Sequence, residues 1–466
     1  MDRVDALVYG SAGQLAPRAS LPYENAAGRM TALFHYPWVF DPLSDAWSPA
    51  HTVPPQTPPS GGAPSRNAFR HRSFRLFWIS RFLANFAAQI VSVSVGWQVY
   101  SLTHNPFDLG LVGLVQFAPA LVLVLYAGHA ADRFNRRAIM AVCQTVEAVV
   151  AGAFVVLTVT GLITTAWIFA LLGVFGIARA FMNPASSSLV PNLVPPEDFA
   201  GAIALSSTSW QVANIVGPAV GGILYGVDPT LAYGVAFAMF VSASIAISMV
   251  PRPPQKALSE PRSLTTMLAG FRYIWHEKVV LGAISLDLFA VLLGGATALL
   301  PAYVHDIIQV GPWGLGLLRS AMGIGGILIA AWLTIRPIED RAGVLMFVAV
   351  AFFGAFIVLF GVSTTLWLSV VALALAGAAD MISVYVRETL LQLWTPDDVR
   401  GRVNAVNNVF IGASNELGEF RAGTMAALIG VVPAVVVGGI GTLIVAGLWA
   451  VLFPDIRRVR HLRGRH

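Results

Sequence analysis

The stretch AGVLMFVAVAFFGAFIVLFG, residues 342–361, runs for 20 residues without a charge or a hydroxyl or amide side chain. At about 1.5 Å of rise per residue, such a helix matches the roughly 30 Å hydrocarbon core of a bilayer. It has no polar face to offer to water. Comparable stretches recur along the chain, and twelve can be cut, at 76–100, 108–130, 138–160, 165–189, 201–225, 230–250, 280–303, 313–335, 342–361, 365–391, 403–430 and 433–453. Gly, Pro or charged clusters separate them. Without water, backbone N–H and C=O groups must be paired within the segment, so these stretches predict helices. The period-2 alternation that marks a membrane barrel is absent.

Composition excludes the alternatives. The 466 residues are 56% hydrophobic and 11% charged, with a mean hydropathy of +0.71. A soluble domain of average composition carries about 25% charged residues. An ordinary soluble enzyme, a disordered chain and a nucleic-acid-binding module are all excluded. The single cysteine, Cys143, excludes a disulfide framework or a cysteine metal site.

Basic residues fall on alternate connections. One set holds Arg66, Arg70, Arg72 and Arg75, then Arg133, Arg136 and Arg137, then Arg252, Lys256, Arg262, Arg272 and Lys278. Arg336, Arg341, Arg400, Arg402 and the tail Arg457, Arg458, Arg460, Arg463 and Arg465 continue it. The other connections, near His104, Gly161, Asp228, His305, Ser363 and Val432, hold no Lys or Arg. This partition predicts an even number of spans with both termini in the cytoplasm. The tail at 455–466 reads as an anchor on anionic lipid, with no nucleic acid as partner.

The organisation follows. Residues 1–65 hold ten of the 28 prolines and no run long enough to span, and read either as a disordered extension or as sequence upstream of the true start. Two six-helix halves, 66–250 and 280–454, flank a cytoplasmic linker at 251–279. In that linker Leu264, Met267, Leu268, Phe271 and Ile274 fall at the spacing of an amphipathic helix. Pro196-Glu197-Asp198-Phe199-Ala200-Gly201 before span five and Pro396-Asp397-Asp398-Val399-Arg400-Gly401 before span eleven lie 200 residues apart, which points to a duplicated unit.

No phosphate-binding glycine loop, HExxH pair or GxSxG elbow occurs, so neither enzyme chemistry nor a metal or other cofactor is expected. The informative residues are charges at membrane depth, which are costly and belong in the bundle interior. They are Arg81, Glu147, Arg179, Asp287, Arg319, Asp380, Arg387, Glu388, Glu416, Glu419 and Arg421. Arg81, Asn85, Gln89, Ser92 and Gly96 share one helix face, as do Ser207, Gln211, Asn214 and Pro218, and Asn404, Asn408, Asn415 and Glu419. These faces read as a cavity lining, with interhelical hydrogen bonding as the alternative. A carboxyl group removed from water resists ionising and can load and release a proton. Glu416 and Glu419, one turn apart, can hold one proton between them. Asp287, alone in an apolar helix, and Asp380 are further carriers. Arg421 would pair with either glutamate.

Between spans two and three, Gly128-His129-Ala130-Ala131-Asp132-Arg133-Phe134-Asn135-Arg136-Arg137 resembles the G-x-x-x-D-R-x-G-R-R signature of the major facilitator superfamily, with Asn135 at the last glycine. Gly217-Pro218-Ala219-Val220-Gly221-Gly222 is similar to the end of that superfamily's antiporter motif, although Ala204 and Ala213 replace its earlier glycines. Phe74-Arg75-Leu76-Phe77-Trp78, Trp97-Gln98-Val99-Tyr100-Ser101-Leu102-Thr103, Ala180-Phe181-Met182-Asn183-Pro184-Ala185, Leu193-Val194-Pro195-Pro196 and Gly401-Arg402-Val403-Asn404-Ala405 narrow the resemblance. They are similar to the enterobactin-exporter-like, or transmembrane secretion effector, branch, over about 70–455.

The resemblance implies a twelve-helix, all-α transporter of the bacterial inner membrane working by alternating access, as a monomer. Its expected activity is efflux of a small organic molecule, drug-like or siderophore-like, in exchange for protons. Asp287, Glu416, Glu419 or Asp380 would carry the proton. Arg81, Asn85, Gln89, Arg179, Gln211, Asn214, Asn408 and Asn415 would line the cavity. Gly128, Asp132, Arg133, Arg136 and Arg137 would latch the cytoplasmic face in the outward-facing state, and Gly217, Pro218, Gly221 and Gly222 would form a hinge. An importing symporter or uniporter on the same fold, or a non-transporting scaffold, remains as the alternative.

Overall fold

The computed structural model describes residues 38–41, 46–49, 66–252, 264–338 and 340–459. The rest of the N-terminal extension, the linker residues Pro253, Pro254, Lys256, Pro261 and Arg262, and the tail residues Arg460, Arg463 and Arg465 lie outside them. The chain divides into two compact units, 1–63 and 64–466. In the first, β1 (Trp38–Asp41) pairs antiparallel with β2 (Ala46–Pro49), Trp38 facing Pro49 and Asp41 facing Ala46. A Trp-Val-Phe run supplies β-forming side chains to this ladder inside a stretch whose composition predicts none.

The second unit is helical. Its long helices are α1 (Arg72–Thr103), α2 (Pro106–Arg133), α3 (Arg136–Val159), α4 (Thr165–Leu189), α5 (Phe199–Val227) and α6 (Pro229–Ser248). The shorter α7 (Leu264–His276) leads to α8 (Lys278–Gly294) and a single turn, α9 (Leu300–Ala302). Then follow α10 (Pro312–Ile335), α11 (Ala342–Val362), α12 (Leu366–Trp394), α13 (Asp397–Ile429), α14 (Val431–Leu452) and the short α15 (Pro454–Arg458). Among the described residues, ten helices are long and apolar enough to cross a membrane. The other two long helices are α5 and α13, of 29 and 33 residues, whose polar stripes lower their hydropathy.

Local chemistry sets the helix ends. Asn105 caps α2, its side chain accepting from Phe107 N at 3.1 Å, with Pro106 in the first helical position. Asn135 caps α3 by accepting from Arg137 N at 3.0 Å, which explains why asparagine serves where the related signature has glycine. The turn expected at Val431-Val432-Pro433 lies instead at Gly430, whose φ of +92° glycine alone adopts readily; Pro433 sits in the first turn of α14.

The expected continuous span 280–303 is broken. Helix α8 stops at Gly294, and a 3₁₀ turn (Thr297–Leu299), α9 and a π turn (Tyr303–Ile307) follow. Adjacent Gly294 and Gly295 and then Pro301 make this segment a poor continuous helix. The break frees the carbonyl of Leu293, and Arg421 donates to it at 2.5 Å. Arg421 therefore caps a helix end; it does not pair with Glu416 or Glu419. Two positions from Glu419, it projects from a different face of α13.

Helix pairing repeats. In the first set α1 packs on α5 and α6, α3 on α4 and α6, and α2 on α4. In the second α8 packs on α13 and α14, α11 on α12 and α14, and α10 on α12. Replacing α1–α6 by α8 and α10–α14 in order converts the first pattern into the second. The two major crossings between sets, α2 on α13 and α5 on α10, convert into each other. One cluster of buried apolar side chains serves the first set and another the second, while a third joins Val93 to the second set around Leu299 and Tyr303. Helix α7 packs on α13, with Ile274 buried and the Phe271 ring 6.3 Å from that of Phe410; the side chains of Leu264, Met267 and Leu268 are outside the description.

Candidate functional site

Two cavities lie between the sets. The smaller, about 130 Å³, is lined by Ser92, Gly96, Gly113, Gln116, Thr297, Pro301, Arg319, Glu416 and Glu419, among others. The larger, about 310 Å³, is lined by Gln89, Ser92, Gln116, Phe117, Arg179, Asn183, Arg319 and Glu416, with small Ala88, Ala120 and Gly176 making room. Ser92, Gln116, Arg319 and Glu416 border both. The wall therefore comes from α1, α2 and α4 on one side and from α10, α13, α9 and the 3₁₀ turn before it on the other.

The charged groups on this wall are positioned across the sets. Arg319 of α10 donates from Nη1 to Ser92 Oγ of α1 at 2.9 Å, and its charge acts on both Glu416 and Glu419. The two glutamates point at α2: a Cβ added at Gly113 would stand 2.6 Å from Glu416 Oε2 and 3.1 Å from Glu419 Oε2. Gly113 thus admits the carboxyl pair to the cavity.

Behind Arg179 lies Glu147, 1% exposed, its carboxylate 3.9 Å from Nη1 of that arginine and without a hydrogen bond among the described residues. Arg179 also lies over the Phe175 ring at 5.7 Å. Arg81 hydrogen-bonds Ser186, lies 5.9 Å from the Phe77 ring centre and is electrostatically coupled to Arg179.

The remaining candidate residues divide. Gln89 bonds Asn214, tying α1 to α5. The amide nitrogen of Asn85 is buried without a partner, and Gln211 lines neither cavity. Asn408 and Asn415 are exposed and lie outside both cavities; Asn415 donates to Ile411 of its own helix at 2.9 Å. Asp287 is not alone. It is ion-paired to Arg387, which is 4% exposed and has Glu388 at 3.7 Å, while Asp380 interacts electrostatically with both members of the pair. Helix spacing could not reveal this, because the partner is 100 residues away on α12.

At the hinge-like motif, Gly217 and Gly221 take the close approach of Gln89 and Ile90 on α1, while Gly222 meets the Pro312 carbonyl and Gly316 of α10. Near the basic loops, Arg136 donates to the carbonyls of Ala131 and Ser188, and Arg137 to that of Ser248, all within the first set. Asp132 has no hydrogen-bond or ion-pair partner among the described residues, and Arg133 is exposed.

The end away from the basic loops is sealed by groups that belong to none of the polar stripes. Tyr100 donates to Asp306, and His305 Nδ1 lies 2.6 Å from Asp306 Oδ1. The His305 ring is within 5.2–5.7 Å of the Trp97, Tyr100 and His104 rings. His104 follows the first helix and His305 the first span of the second set, 201 positions apart, so the repeat offset of 200 was a signal for this pair. Gln116, a lone amide in an apolar span, was a signal for the cavity wall.

Two pseudo-equivalent helical bundles enclosing a charged cavity at membrane depth define a multi-pass transporter rather than an enzyme. The chain belongs to the transmembrane secretion effector family of major facilitator transporters, whose family model matches residues 63–460. It is 26% identical over 401 residues to the enterobactin exporter EntS of Escherichia coli O1:K1, covering 84% of this chain and 94% of that one. The EntS of Shigella boydii serotype 18 matches to the same extent. Among solved structures, the fold is similar to a bacterial homolog of the human lysosomal transporter Spinster in its inward-facing, unoccupied form, with a TM-score of 0.64 at 15% identity over 84% of this chain and 99% of that one. The nucleoside transporter NupG is similar with a TM-score of 0.67 at 14% identity, over 82% and 100%.

Proposed function

We propose that this transporter exports a small organic molecule in exchange for protons. It crosses the bacterial inner membrane twelve times, with both termini and the basic loops in the cytoplasm, as a monomer whose loops meet anionic lipid. One observation carries the reading: Glu416, Glu419 and Arg319 border a cavity at the meeting of the two helix sets, and Arg319 is tied across it to Ser92. A shared proton on the glutamate pair changes the charge of the wall where the sets must part, so proton loading and helix rearrangement are linked. The export direction is supported by relatives named as exporters.

The sets are joined at the non-basic end by the Tyr100–Asp306 bond and the His305 ring contacts, and nearer the middle by Arg319–Ser92 and Ser320–Ile215, which supports access from the cytoplasm in this state. Closing that side would bring Asp132 and Arg133, free of partners in the first set, against the second. The test uses inverted membrane vesicles with an imposed acid-inside gradient and compounds to which a deletion strain becomes hypersensitive. Adding the exported compound dissipates the gradient in wild type and not in Glu416→Gln or Glu419→Gln vesicles containing equal protein. Compound movement without proton movement would instead identify a uniporter. Normal exchange in both variants would remove the glutamates from the mechanism.

A further inference from the structure

Chemical selectivity follows from the charges around the larger cavity. Arg179 enters from α4 of the first set, Arg319 from α10 of the second, and both border the same space of about 310 Å³. The adjoining charges are Arg81, whose field reaches Arg179, and the carboxyl groups Glu147, Glu416 and Glu419. Three guanidinium groups thus meet three carboxyl groups. Guanidinium groups stay charged, whereas two carboxyl groups one turn apart in a place with little water do not both ionise readily. Glu147 stands behind Arg179 and Ser92 holds Arg319, so the cavity faces of two guanidinium groups lack a full complement of carboxylate, and an uncompensated charge away from water is costly.

The positions of the arginines say where compensation belongs. Glu147 sits on the buried side of Arg179, at 1% exposure, leaving the cavity side of that guanidinium without a carboxylate of its own. Arg319 is held by Ser92 on one side. Asn183, Gln89 and Gln116 supply amide donors around the space, and Phe117, Ala88 and Ala120 supply apolar wall for an organic body.

We infer that the cavity takes an amphipathic organic anion, whose carboxylate or similar group bridges Arg179 of one helix set and Arg319 of the other. The inference rests on the transporter reading above and adds to it the charge of the cargo. An anion held from both sides draws the sets together. Its seat beside Arg319 adjoins Glu416 and Glu419, whose carboxyl groups act on the same guanidinium. A cationic compound would meet the excess positive charge and be rejected.

The experiment measures equilibrium binding to the purified, lipid-reconstituted full chain with three probes of one shape: 1-naphthoate, neutral 1-naphthamide and 1-naphthylmethylammonium. The expected order is naphthoate tighter than naphthamide by at least about tenfold, with the ammonium weakest, in line with charge-assisted hydrogen bonds. Arg179→Gln and Arg319→Gln each abolish that preference, and Arg179→Lys, which keeps the charge without the planar fork, retains part of it. Equal binding of the three probes, or preference for the cation, overturns the inference; the wild-type comparison does so even if a variant fails to fold. Proton exchange in vesicles is scored separately. Exchange driven by a neutral or cationic compound together with no anion preference would sink the anion site and leave the exporter standing. Anion-selective binding without any exchange would support the site and sink proton-coupled export.

Discussion

Asp287 and Glu416 are both carboxylates in apolar surroundings, and their neighbours give them opposite tasks. Asp287 is closed in an ion pair with Arg387, with Asp380 and Glu388 at hand. Breaking such a buried pair from one side leaves an uncompensated charge and costs about 3–5 kcal/mol, whereas replacing both partners by apolar groups is close to neutral. Arg387→Met alone should therefore lower the thermal unfolding temperature in detergent clearly, and Asp287→Leu with Arg387→Met should recover more than half of the loss. Failure to recover would give Asp287 work beyond its pair. Glu416 faces open space instead, and only because residue 113 has no side chain. Gly113→Ala should push its carboxylate out of place and reduce proton flux in inverted vesicles at least about tenfold, a displacement of about 1 Å costing up to about a hundredfold at reacting groups. Unchanged flux would show that the carboxylate has room to spare.

At the scale of helices, glycines decide where the two sets touch. Gly423 of α13 meets Gly110 and the Pro106 carbonyl of α2, and a Cβ there would come within 2.7 Å of the Gly110 backbone. Gly222 and Gly316 play the same part where α5 meets α10. Overfilling these crossings should favour the state in which they are apart. In a Cys143→Ser background, Ser92→Cys should react faster with a membrane-impermeant thiol reagent added from the non-basic side when Gly423→Leu is also present. Equal rates would remove the crossing from the gate. The helices themselves were legible in the sequence, because lipid forces each apolar stretch to satisfy its own backbone. The break after Gly294 was not, since hydropathy continues through Ala298, Leu299 and Leu300 and only the Gly-Gly pair and Pro301 mark it. Its cap, Arg421, comes from a helix more than 100 residues later, beyond the reach of any periodicity.

Over the whole molecule, the arginine partition and the equivalence of helix neighbours carry the same message of duplication. Reporter domains fused after Gly161 and after Val432 should both register on the side opposite one fused after Arg137; either of them sharing a side with the Arg137 fusion would break the proposed twelve-span arrangement. Charges at membrane depth pointed to Arg319, Glu416 and Glu419 because burial of charge is costly in any fold. Which of them meet was hidden, for pairing depends on how α1, α2, α10 and α13 converge. Asn408 and Asn415 show the cost of reading a stripe without its neighbours: the spacing is regular, but both are exposed outside the cavities.

The seal at the non-basic end contains no Lys or Arg; ring contacts, glycine crossings and the Tyr100–Asp306 hydrogen bond compose it. Dissolved ions screen charges over a Debye length of about 8 Å at physiological ionic strength, but barely touch groups already in contact. The other end is crowded with guanidinium groups whose interactions reach across loops. Added salt should therefore loosen one door and leave the other as it was, so that the balance between the two states shifts with ionic strength in a single direction, toward opening at the basic end.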